Sequence, residues 1–347
     1  MRFYTNQHKY YCGIDLHARK MYVFILDEKG EIREHRNLNT DRDAFIKAIA
    51  PFREDIVVAV ECIFTWYWVA DLCHKEGIPF VLGHALYMKA IHGGKAKNDK
   101  IDSHKIAALL RGGMMPIAYV YPAKMRATRD LMRRRNHLVR KRSELLAHIQ
   151  NTNSQYNLAD DFGRIARHQD RDGIAEQFEQ PPVQQSIAVD IAMINTYDGI
   201  LSQLEKSIIK LANSHDPVSF ALLQTIPGVG KIIALIILYE IENIRRFASV
   251  QDFASYSRLV KCAHESNGKK CGSGGSKIGN AHLKWAFSEA AVFFTKGNEP
   301  AKKYLDRLTK KHGKSKALSI IAHKLGRAVY FMLKNKEAFD QKKLLNM

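Results

Sequence analysis

The chain has 347 residues, 46% of them hydrophobic, and a formal net charge of +19 at pH 7, so it can fill two or three units with real cores. No run approaches the roughly 18 consecutive apolar residues of a membrane span, and Met1-Arg2-Phe3-Tyr4-Thr5-Asn6 lacks a signal peptide's apolar stretch. Five cysteines with no C-x-x-C pair exclude a disulfide framework, so a cytoplasmic protein with a polyanionic partner, nucleic acid by default, is expected.

In chain order, Tyr10 to His17 is an apolar run that predicts a first strand with Asp15 near its end. Met21 to Leu26 predicts a second strand, a turn follows at Asp27-Glu28-Lys29-Gly30, and Glu31 to Leu38 predicts a more polar third. A helix from Asp41 to Phe52, a strand from Ile56 to Glu61, a helix from Thr65 to Glu76 and a strand from Ile78 to Leu82 come next. A three-stranded meander followed by alternating strands and helices is the order of an RNase H-like α/β domain, expected over residues 1–124.

Four carboxylates stand where such a nuclease needs metal ligands. Asp15 lies near the end of one apolar strand and Glu61 closes another, where a buried acid is costly unless it is paired or metal-bound. Asp99 and Asp102 open a helical pattern at a spacing that shares one face. Each of the last two also fits as an ordinary acid beside a helix N-terminus, but the set of four fits a pair of Mg²⁺ ions about 4 Å apart, with Mn²⁺ as a substitute. Lys97 and Lys100 lie beside them, placed to offset ligand charge or to meet phosphate.

Residues 125–215 change character. Leu131, Leu138 and Leu145 recur every seven residues, and a second pattern runs through Ile187, Ile191, Ile194, Tyr197, Leu201, Leu204, Ile208 and Leu211. Two such helices, joined by a polar stretch with Pro181-Pro182, predict an antiparallel or intermolecular coiled coil, or long bundled helices. Between Tyr121 and Gln150 nine Lys/Arg face two acids, and from Ala301 to Met347 thirteen face three, a concentration that reads as a nucleic-acid footprint. Arg126, Arg133, Arg134 and Arg135, within the basic stretch that ends at Arg142, are expected to contact phosphate.

Residues 216–347 form a mainly α third unit. Ile226-Pro227-Gly228-Val229-Gly230-Lys231 before an apolar helix is similar to a helix-hairpin-helix turn, with Gly228, Gly230 and Lys231 toward phosphate. A tight turn between packed helices is the competing explanation. The Gly/Ser/Lys-rich loop from Glu265 to Asn280, with Lys269, Lys270 and Lys277, precedes an aromatic-bearing helix and is read as a site rather than a linker. Cys262, His264, Cys271 and His282 match no standard zinc spacing. Ser266 as a nucleophile has no local base beyond His264 two positions away.

As an ordered set, Gly13-Ile14-Asp15-Leu16-His17, Val60-Glu61, Lys97-Asn98-Asp99-Lys100-Ile101-Asp102, Ile226-Pro227-Gly228-Val229-Gly230, Phe253-Ala254-Ser255-Tyr256, Leu259-Val260 and Ser276-Lys277-Ile278-Gly279-Asn280-Ala281-His282-Leu283 resemble the DEDD insertion-sequence transposases related to the pilin-gene invertase, over nearly the full length. The resemblance implies a prokaryotic transposase or recombinase with a RuvC-like domain whose Asp15, Glu61, Asp99 and Asp102 bind Mg²⁺, a coiled coil, and a C-terminal domain supplying a serine. It implies dimers or tetramers, donor and target DNA, a structured non-coding bridge RNA as guide, and a covalent serine–DNA link at a site joining one protomer's acids to another's serine. Ser266 in Ser266-Asn267-Gly268 best matches the family's Ser-Gly-Gly, with Ser273 and Ser276 as alternatives. The chain departs from the family at Lys261, where proline is common, and at Cys62-Ile63-Phe64, where small residues are usual. A metal-dependent nuclease or Holliday-junction resolvase without a serine step, and a non-enzymatic nucleic-acid-binding protein, are the rival readings.

Overall fold

The structure, a computed structural model, describes residues 2–91, 98–158, 165–261, 264–267, 269–272 and 278–345, with backbone alone at 90, 264–266 and 270–272. It divides into two compact units, Met1–Ala123 and Lys124–Met347.

The first unit is built on a five-stranded mixed sheet. Its strands are β2 (Tyr10–Leu16), β3 (Lys20–Asp27), β4 (Ile32–Asn39), β5 (Ile56–Glu61) and β6 (Phe80–Gly83), in the order β4-β3-β2-β5-β6. β2, β3 and β4 form the antiparallel meander, and β5 and β6 add in parallel beside β2. A short pair, β1 (Phe3–Tyr4) with β7 (Met115–Pro116), was not visible in the hydropathy pattern. Parallel strands covered on both faces are apolar throughout, and Ile56 to Val60 accordingly reads as an unbroken buried run.

One face of the sheet (Cys12, Ile14, Leu16, Val58, Val60) packs on Phe45 and Ile49 of α1 (Arg42–Ile49) and Val69, Ala70 and Cys73 of α2 (Tyr67–Lys75). The other face (Tyr11, Val57, Ala59) packs on Met88 of α3 (Ala85–Ile91) and Ile106, Leu109 and Leu110 of α4 (Asp99–Arg111). Asn98 caps α4 by accepting from the Ile101 amide at 2.8 Å.

The second unit is helical apart from a two-stranded hairpin. α5 (Ala123–Gln155) and α6 (Pro181–His215) run antiparallel: Arg135 pairs with Glu205, Arg142 with Asp198, and His148 with Asp190, so later positions on one meet earlier positions on the other. Ile187, Ile194, Leu201 and Ile208, seven residues apart, are the buried stripe of α6. Between Met132 and Leu146 of α5 no residue is fully buried, and arginine–carboxylate pairs replace an apolar seam there. Burial alone would raise the Asp198 pKa, but hydrogen bonds from Arg142 and Arg171 hold it below the usual carboxylate range.

The rest of the unit packs α7 (Pro217–Gln224), α8 (Lys231–Ile241), α9 (Val250–Tyr256), α10 (Ala281–Thr295), α11 (Glu299–His312), α12 (Lys314–Asn335) and α13 (Gln341–Leu345) around one large core. β8 (His264–Ser266) pairs antiparallel with β9 (Lys269–Gly272). No helix of the described residues is long and apolar enough to cross a membrane.

Candidate metal centre and nucleic-acid interface

The acids of the first unit converge because of where two parallel strands end. Ile14 pairs with Val60, so Asp15 and Glu61 lie one step further along, at the carboxyl ends of β2 and β5. Ile14 and Val60 face the α1/α2 layer, and by strand alternation Asp15 and Glu61 face the α4 side. The sheet lets α4 approach closely at one point, Gly13. A Cβ there would collide with the Ser103 carbonyl oxygen and the Ala107 amide nitrogen, both backbone atoms of α4. The absent side chain thus sets the distance from the Asp15 strand to the helix whose first turn carries Asp99 and Asp102.

Ligand atoms of Asp15, His17 and Asp99 all lie within 4.8 Å of one another, an arrangement able to hold a metal ion. His17 Nε2 is 3.5 Å from Asp15 Oδ2 and 3.7 Å from Asp99 Oδ1. Burial raises the Asp15 pKa, the His17 charge lowers it, and the carboxylates of Asp99 and Asp102 raise it again. Lys105 lies 3.4 Å from Asp102 and offsets part of this charge. Carboxylates crowded at the end of a buried strand are a donor set of hard oxygens, and a divalent cation relieves their repulsion. The residues fit the metal. The sequence pattern had assigned His17 no ligand role. Its signal was its spacing, since it stands two positions after Asp15 on the strand exit.

Glu61 and Asp102 share the same end of the sheet, outside the trio within 4.8 Å. Lys100 is exposed on α4. Lys97, Lys277, Ser273 and Ser276 lie outside the described residues, as does any metal grouping of Cys262, His264, Cys271 and His282, since Cys262 is not described. Ser266 and Lys270 are described for their backbone alone, in β8 and β9, with Ser266 paired to Lys269.

The basic stretch of α5 needs correction. Arg126 is only 6% exposed and cannot lay its charge on a DNA backbone. Arg133 donates twice to Glu240, at 2.7 and 2.9 Å, and Arg135 donates twice to Glu205, at 2.8 and 2.6 Å. These three are committed within the protein, whereas Arg134 faces solvent. Gly228 is also better explained by packing than by phosphate. Val229 N donates to Ile226 O at 3.0 Å, closing a turn with Pro227 and Gly228 at its centre, and Gly228 has φ +80°. A Cβ on Gly228 would lie 2.6 Å from the Phe293 carbonyl oxygen of α10. Gly230 is the N-cap of α8 without a side-chain cap, and exposed Lys231 is the first residue of that helix.

The buried centre of the second unit is Glu240, at 3% exposure in an otherwise apolar helix. Besides Arg133 it accepts from Arg129 at 3.1 Å and from the Asn280 amide at 2.7 Å. Burial would raise its pKa, but the Arg133 hydrogen bond, the charges of Arg129 and Arg133, and Asn280 hold it at about 2. Asn280 also caps α10. Both ends of the serine-bearing segment are joined there: Asn280 N donates to Tyr256 O at 2.6 Å, and Arg258 Nε to Ile278 O at 3.0 Å.

Two family models match the chain in order. A transposase family model of DEDD type (IS110) matches residues 12–157, and the transposase IS116/IS110/IS902 family model matches residues 220–306. The chain is 22% identical over 344 residues to the transposase for insertion sequence element IS1111A of Coxiella burnetii, covering 94% of this chain and 90% of that protein. It is 24% identical over 290 residues to a probable family 20 transposase of Pseudomonas aeruginosa, covering 78% of this chain and 80% of that one. It is 31% identical over 157 residues to the pilin gene-inverting protein of Moraxella lacunata, covering 43% of this chain and 48% of the relative. With a RuvC-like DEDD domain leading and a transposase domain following, the chain belongs to the IS110/IS116/IS902 family and is a DNA transposase.

Proposed function

We propose that this transposase cleaves and exchanges DNA strands with Asp15, Glu61, Asp99 and Asp102 as ligands of Mg²⁺, replaceable by Mn²⁺, and Ser266 as the nucleophile. The grouping of Asp15, His17 and Asp99 at the carboxyl ends of β2 and β5 carries this reading. When bound, the cation supplies Lewis-acid stabilisation of charge on the phosphate oxygens. Asp15 and Glu61 would hold it from the sheet side, and Asp99 and Asp102 from the first turn of α4. His17, 3.5 Å from Asp15 and 3.7 Å from Asp99, is a further donor at the same place.

In the covalent step the Ser266 Oγ–phosphorus bond forms as the bond from phosphorus to the leaving deoxyribose oxygen breaks. The serine proton ends on that oxygen. Attack by a second strand's hydroxyl reverses the step and releases the serine, so the exchange is isoenergetic in bond type and needs no external energy source. A bridge RNA that pairs with donor and target DNA supplies sequence choice, and the protein works as a dimer or tetramer. The net charge of +19 supports polyanion binding, and exposed Lys100, Arg134, Lys231 and Lys269 are the described residues best placed for it.

The test is a denaturing gel of labelled DNA incubated with the protein and Mg²⁺. A covalent protein–DNA adduct is expected, lost in Ser266→Ala and in Asp15→Ala. An adduct that persists in Ser266→Ala and disappears in Ser273→Ala or Ser276→Ala moves the nucleophile. Cleavage without any adduct supports a nuclease or resolvase instead. Sequencing of copurified RNA tests the guide.

A further inference from the structure

Phe64 is 84% exposed, the most exposed large hydrophobic side chain among the described residues, well beyond Ile32 at 55%. It stands three positions after Glu61, so its Cα lies within about 11 Å of that residue's Cα. It is not on a loose tip. The Cys62 amide donates to Gly83 O at 2.8 Å, and the Ile63 amide donates to Glu61 O at 2.8 Å. Thr65 Oγ1 donates to Leu16 O at 2.9 Å, one residue past Asp15, and Trp66 is buried in the core below. The backbone on either side is therefore tied to the strands that carry Asp15 and Glu61, and the ring between these ties is turned to water.

An apolar ring held in solvent beside a cluster of acids does nothing for the acids. Metal ligation gains nothing from it, and a phosphate backbone offers it no apolar partner. The chemistry next to a phosphodiester that does match an exposed benzene ring is a nucleobase face, which stacks on aromatic side chains irrespective of sequence. Bases within a duplex are already stacked, so the ligand class is an unpaired base. Strand exchange needs such bases, because a strand that changes partners must leave its old duplex.

We propose that Phe64 is a stacking platform for an unpaired DNA base flanking the phosphodiester at the acid cluster. The assignment rests on the reading of that cluster as the strand-cleavage centre.

The test uses the full chain and short oligodeoxynucleotides carrying 2-aminopurine at successive positions, single-stranded and duplex, in EDTA. Wild-type protein should quench the probe at a restricted set of positions in single strands. Phe64→Ala should lose that quenching and bind single strands roughly tenfold more weakly, with duplex affinity and melting temperature unchanged. Phe64→Trp should keep the affinity, and the added indole's emission should fall on binding. Equal single-strand affinity for Phe64→Ala and wild type would overturn the proposal. So would equal losses in the Ala and Trp variants, or an altered sedimentation coefficient with unaltered DNA binding, which would place the ring in a protein interface. Asp15→Asn separates the two readings: quenching that persists while Mg²⁺-dependent cleavage proves indifferent to Asp15 retires the cleavage assignment and leaves the base-stacking result standing.

Discussion

Glu240 should be the most expensive single side chain to neutralise in the second unit. It is fully buried, and Arg129, Arg133 and Asn280 all donate to it. Its ordinary pKa is 4.5 and the fold holds it at about 2, a gap worth about 3 kcal/mol at neutral pH. Because the folded value is the lower one, this contribution is fully present above pH 4.5 and drains away as pH falls from there toward 2. Glu240→Gln removes it while keeping the shape, so a loss of about 3 kcal/mol is expected at pH 7. Glu240→Ala should lose about 3–5 kcal/mol, since two guanidinium groups are then left without their carboxylate. For a unit of this size that is a fall of roughly 6–12 °C in the melting temperature of its transition for the Gln variant. Calorimetry from pH 7 to pH 3 reads both effects, and the difference between wild type and Glu240→Gln should narrow through the acid window. A Gln variant within 1 kcal/mol of wild type at pH 7, or a difference that does not narrow on acidification, would refute the reasoning.

Gly13→Ala should push α4 off β2, because the new methyl meets backbone atoms of Ser103 and Ala107 that cannot rotate away. A loss of about 1–3 kcal/mol by overpacking is expected, together with a smaller thermal shift on adding Mn²⁺ than wild type gives. A full Mn²⁺ shift in this variant would separate the Gly13 contact from the acid spacing. Arg134→Ala should weaken duplex DNA binding and flatten its salt dependence by about one counterion without changing the melting temperature. Arg135→Ala should instead destabilise the α5–α6 pair through Glu205, which thermal unfolding with and without salt would detect.

The five-stranded sheet of the amino-terminal unit was readable because each of its strands announces itself. Ile56 to Val60 is an apolar run, Asp27 to Gly30 is a turn, and an acid stands at or next to the end of both β2 and β5. Partnering was not readable. Counting arginines between Tyr121 and Gln150 measures charge, but nothing local says that Arg133 meets Glu240 or that Arg135 meets Glu205, positions 107 and 70 residues away. One clue was present: a lone acid ending the run Ile232 to Tyr239 is expensive in an apolar helix unless something distant pays for it. The hairpin of β8 and β9 also had a local signal. Asn267-Gly268 is the dipeptide that favours two-residue hairpin turns, and Asn267 has the positive φ, 49°, that such turns require. His17 was missed for another reason, since strand periodicity ends at Leu16 and says nothing about the side chain that follows it.

The joined neck at Tyr256–Asn280 and Arg258–Ile278 fixes both feet of the stretch between them on the helical scaffold. Once its two feet are stapled, lengthening the stretch costs only about 0.6 kcal/mol per doubling in closure entropy. Asn280 hands the downstream foot directly to Glu240 and so to the core. Changes of length between the two feet should therefore leave the stability of the helical scaffold beneath nearly untouched.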